Sequence, residues 1–146
     1  MNFVLSLHNL MFYIILALGA LTLICGIVLF VITRRVPVSA GEGEVDALGG
    51  SVASARNIFR LLLYVTAGAG VLQAIFGGLL YLGGARPGEG LHYVYGLIVL
   101  GAIPVAYVYS DQKQVRRDII ILTIAAVAIV GAAFRAFATG PGIGPH

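Results

Sequence analysis

His8 and His92 are the side chains of this chain best suited to chemistry. Imidazole is the commonest side-chain metal ligand, and a pair on facing helices is a standard way to hold a haem iron. Few other polar residues lie in apolar stretches. Arg135 offers a planar fork that suits a carboxylate such as a haem propionate. Gln73 reads as an interhelical hydrogen-bond partner, Arg60 as an anchor reaching for headgroups, and the lone Cys25 as packing. Other chemistries lack their residues. The sequence has no Ser/His/Asp, HExxH or CxxC constellation, so no catalytic residue is assigned and no catalytic activity of its own is expected. All six acids (Glu42, Glu44, Asp46, Glu89, Asp111, Asp118) fall in expected loops or helix ends. That argues against proton-coupled antiport, which needs an ionisable group within the membrane, and against a calcium site.

The elements that must position these residues are set by hydropathy. The chain is 60% hydrophobic and 10% charged, with a mean hydropathy of +1.00. So few charges cannot cover the surface of a water-soluble fold of 146 residues. The expected class is all-α: an integral membrane four-helix antiparallel bundle, forming a single domain over 1–146. Apolar runs at about 3–33, 57–82, 91–109 and 119–138 each approach or exceed the roughly 20 residues that cross a bilayer. The first has no basic region before it and no cleavage site before Arg34-Arg35, so it is expected to stay as an anchor.

Between the runs, residues 34–56 read as a solvated Gly/Ser linker; its glycines lack the spacing of a phosphate-binding loop. GGARPGEG (83–90) and the charged SDQKQVRRD (110–118) are short enough to make their flanking helices antiparallel neighbours. TGPGIGPH stops the last helix. The nine Lys and Arg fall at the ends of apolar runs and not in a patch, which speaks for membrane topology and against nucleic acid. Arg34, Arg35, Arg56 and Arg60 gather around the first loop, and Lys113, Arg116 and Arg117 in the third. The second loop has only Arg86, offset by Glu89. The positive-inside rule therefore predicts a multi-pass protein of the cell membrane with both termini on the non-cytoplasmic side. Tyr81, Tyr93 and Tyr95 then form an outer aromatic belt, and Tyr107 and Tyr109 an inner one.

Small residues recur every fourth position at Gly70, Ala74 and Gly78 and again at Ala128, Ala132 and Ala136, while Gly19 and Gly26 lie seven apart. Such stripes let helix backbones approach closely. Pro104 is expected to kink the third helix. The topology puts His8 and His92 on one side of the membrane, with a conflict of height. Counting from the cytoplasmic helix ends at about 1.5 Å per residue, His92 and Arg135 lie roughly 26–29 Å out and His8 roughly 39 Å out.

LQAIFGG in the second helix, a short turn and LHYVYG opening the third resemble the pattern of haem A synthase-type helical bundles over about 25 residues. The broader four-helix b-type cytochromes share this plan. The resemblance implies a haem ligand at His92, with His8 as its partner. The chain has half the synthase's helices and lacks its cysteine-bearing loop and full histidine set, so the implication extends to a haem site and not to synthase activity.

Two functions follow. The leading one is an accessory or structural subunit of a larger respiratory or photosynthetic electron-transfer complex, embedded in lipid and docked on other membrane subunits by its small-residue stripes. The alternative is a b-type haem electron-transfer protein, with His92 and His8 as axial ligands near the outer face and Arg135 at a propionate.

Overall fold

A computed structural model describes residues 2–35, 37, 49–110 and 114–140. The expectations for Glu42, Glu44, Asp46, Asp111, Lys113 and the tail from 141 lie outside these residues. Every described element is helical: α1 (Asn2–Ile32) with a single 3-10 turn at Thr33–Arg35, α2 (Gly50–Leu82), α3 (Leu91–Tyr109) and α4 (Val115–Thr139). All four helices are long and apolar enough to cross a membrane. Their outward faces carry Leu21, Ile24, Val65, Leu97, Val105 and Ile124, all exposed.

Two boundaries differ from the hydropathy reading. α2 begins at Gly50, so the last turns of the expected linker are helical, and α4 begins at Val115, so Arg116, Arg117 and Asp118 belong to its first turn. Hydropathy marks where an apolar run stops, whereas a helix continues for as long as its polar turns find partners. Arg56 and Asp118 are both buried, and with Arg60 they line one small recess between α2 and α4. Asp118 is thus part of the packed bundle and not of a solvated turn.

α1 packs along both α2 and α4, and α3 packs along α4. The hairpin neighbours α2 and α3 are antiparallel, as Gly70 faces Val99 and Tyr64 stacks on Tyr107, yet they are the least closely packed of the adjacent pairs. The core is concentrated toward the arginine-bearing end, where Leu29, Phe59, Leu63, Ile119 and Leu122 are buried. Gly26 makes this crowding possible. A Cβ at that position would collide with the Thr123 side chain and lie 3.1 Å from Phe59 Cε2. Gly19 plays a similar part against Val130, whose Cγ2 would lie 3.1 Å from an added Cβ. Cys25 is half-buried, with its Sγ 3.7 Å from the Ala55 carbonyl. α3 runs through Pro104 as one continuous helix.

Toward the opposite end, α2 and α3 part. The stripe Gly70, Ala74, Gly78 divides there: Gly70 approaches the Val99 carbonyl, with 3.4 Å left for a Cβ, whereas a Cβ on Gly78 would meet nothing within 4 Å. This half of the stripe lines space and does not seat a helix.

Candidate functional site

The parting of α2 and α3 opens a cavity of about 700 Å³, walled by all four helices and the 83–90 turn. That volume lies within the about 300–1,000 Å³ typical of small-molecule and cofactor sites. Ile15, Val99 and Ala133 lie toward its core end, and Arg86 and Pro87 toward the turn. Along α2 it extends from Gly70 to Tyr81, about 16 Å at the helical rise. Small residues from two sides (Gly77 and Gly78, Gly96) keep it wide.

His8 and His92 both line this cavity, with ring centres 6.1 Å apart and planes inclined by 47°. The height conflict is therefore resolved by the packing. Val99 lies opposite Gly70; seven residues further toward the turn along each helix come His92 and Gly77, and Gly77 is the residue against which His8 rests. The helices do not end at one common level, as counting from the cytoplasmic ends requires. Tyr64 stacks on Tyr107, so α3 stops near its Tyr109 while α2 continues ten or more residues past it to Gly50. α1 accompanies α2 over that overhang, which brings His8 down to the level of His92.

Each ring is held by one nitrogen. His92 Nδ1 lies 2.9 Å from the Ala136 carbonyl, an acceptor only, so Nδ1 carries the proton and the lone pair of the neutral ring sits on Nε2. His8 Nε2 lies 3.3 Å from the side-chain nitrogen of Gln73, which donates to it as the amide is placed. This arrangement leaves His8 Nδ1 and Gln73 Oε1 buried without partners. Each such atom costs about 1–3 kcal/mol in an apolar surrounding. Gln73 is thus an interhelical partner, as its position suggests, and its partner is the candidate ligand itself. A metal taking one His8 nitrogen removes the shortfall, because the other nitrogen then carries a proton and the amide can turn to accept it.

Arg135 is not brought to the cavity. Its side chain is exposed, and its guanidinium lies 5.8 Å from the Tyr95 ring centre. The cation at the cavity is Arg86, which sequence reasoning treated only as a topology marker. Arg86 Nη1 donates to the Tyr81 carbonyl at 2.7 Å and the Ala85 carbonyl at 2.9 Å, and the guanidinium lies 4.0 Å over the Tyr81 ring. Asn9 and Tyr13 also reach the cavity from α1. Among the described residues, no group of three or more His, Cys, Asp or Glu side chains is placed to hold a bare metal ion. Two imidazoles suffice where a macrocycle supplies the remaining ligands.

No family model, curated protein or solved structure matches this chain.

Proposed function

We propose that this chain is a multi-pass membrane protein that binds a b-type haem between His8 and His92 and transfers electrons near the non-cytoplasmic face. The observation that carries this reading is the level pair of imidazoles, 6.1 Å apart, in a largely apolar cavity of about 700 Å³. Two imidazoles on one metal, each about 2 Å from it, have ring centres roughly 6 Å apart. The fit extends to the supports, since each ring has one nitrogen held by the protein, as metal-bound histidines usually do.

Bound haem supplies a one-electron couple. The protein's part is to fix the imidazoles, exclude water and set the polarity around the ring. His92 is tied to the α4 backbone and His8 to Gln73 of α2. Phe12 stacks on Phe137 at 4.5 Å, and the pair lines the cavity between α1 and α4. Electron transfer needs donors and acceptors, so the chain works beside other membrane subunits of a respiratory or photosynthetic assembly.

The arginine distribution supports the orientation: Arg34, Arg35, Arg56, Arg60, Arg116 and Arg117 gather at one end of the bundle, against Arg86 and Arg135 toward the other. Both termini and the cavity then face away from the cytoplasm. The test is the optical spectrum of the protein purified from membranes, oxidised and then reduced with dithionite. The expected result is one haem per chain, with a Soret band that sharpens on reduction and resolved α and β bands. A protein that stays colourless after purification and after incubation with haem would refute the reading.

A further inference from the structure

Among the described residues lining the cavity, Arg86 alone bears a formal charge. Its two Nη1 hydrogens are spent on the Tyr81 carbonyl, at the C-terminal end of α2, and the Ala85 carbonyl in the turn that follows. A guanidinium has five N–H groups, so those on Nε and Nη2 remain. No carboxylate pairs with Arg86 among the described residues. The Tyr81 ring beneath the guanidinium and the two carbonyls beside it hold the fork in one place before any ligand arrives. The rest of the lining is apolar or neutral, and most of its neutral polar groups belong to the histidine level.

From this asymmetry we infer that Arg86 is a positioning residue for a ligand carboxylate, so that the occupant sits with its acidic edge at the 83–90 turn and its apolar edge toward Val99. The inference rests on the haem reading and assigns to Arg86 the carboxylate of that haem. A preorganised guanidinium that already has its backbone partners loses little freedom on pairing, and it matches a carboxylate with parallel N–H donors.

The experiment compares binding of haem b and of its dimethyl ester, which lacks the negative charges, to the full-length protein in detergent, for wild type, Arg86→Gln and Arg86→Lys. Circular dichroism checks that each variant is folded. The wild type is expected to prefer haem over the ester by about 10-fold or more, the range of a charge-assisted hydrogen bond. Arg86→Gln should lose that preference while binding the ester as the wild type does, and Arg86→Lys should keep part of it. Equal weakening toward both ligands in Arg86→Gln, or no weakening toward haem, would overturn the assignment and leave the haem reading standing. A wild type that binds neither ligand would overturn both.

Discussion

The proposed haem site rests on two histidines held in different ways. His92 is fixed by a backbone carbonyl, an acceptor that no side-chain substitution removes, whereas His8 depends on the Gln73 side chain. His92→Ala should therefore abolish the low-spin haem spectrum. His8→Ala should retain haem through His92 with weakened affinity and a shift to a high-spin spectrum, read by optical absorption of the purified variants. Residue type alone pointed to both histidines, because so few polar groups interrupt the apolar runs. It did not separate Arg135 from Arg86. Arg135 is the sequence neighbour of Ala136, whose carbonyl receives His92, but one residue is about 100° of helical rotation, and that turn carries the arginine out to Tyr95. Position along a helix is legible in a sequence, whereas azimuth against unknown partners is not.

At the scale of the helices, glycines serve two ends that look alike in sequence. Gly26 is where α1 meets both α2 and α4, and Gly26→Ala would overpack that contact. The expected cost is about 1–3 kcal/mol, seen as a lower midpoint in detergent thermal unfolding. Gly96 lines the cavity, and a Cβ there would meet nothing within 4 Å. Gly96→Leu should leave the unfolding midpoint unchanged or higher, since glycine is a poor helix former by about 1 kcal/mol, while sharply reducing haem uptake. Equal haem binding by Gly96→Leu and wild type would show that this space is not the binding site. The every-fourth spacing of Gly70, Ala74 and Gly78 predicts close helix contact, which holds at Gly70 and not at Gly78. Apolar runs located all four helices, whereas the turns at 50–56 and 115–118 were missed because their polarity reads as loop until Arg56 and Asp118 are seen buried.

For the whole molecule, the unequal helices decide the register. With 31 and 33 residues, α1 and α2 overhang the 19-residue α3 at the arginine end, and that overhang sets the two histidines level. The sequence held the lengths but not the end from which to count. The proposed membrane orientation is open to direct labelling. In a Cys25→Ser background, Gly88→Cys should react with a membrane-impermeant maleimide in intact cells, and Ser51→Cys should react only after the membrane is broken. The opposite pattern would reverse the assignment of faces.

The proposed haem site requires that His8 and His92 bind one iron from its two sides. Low-temperature electron paramagnetic resonance of the oxidised, haem-loaded wild type tests this most directly, because the spin state reports whether both axial positions carry strong nitrogen ligands. The expected result is a low-spin ferric signal that His8→Ala converts to high spin. A high-spin signal in the wild type, or a low-spin signal that survives His8→Ala unchanged, would contradict it.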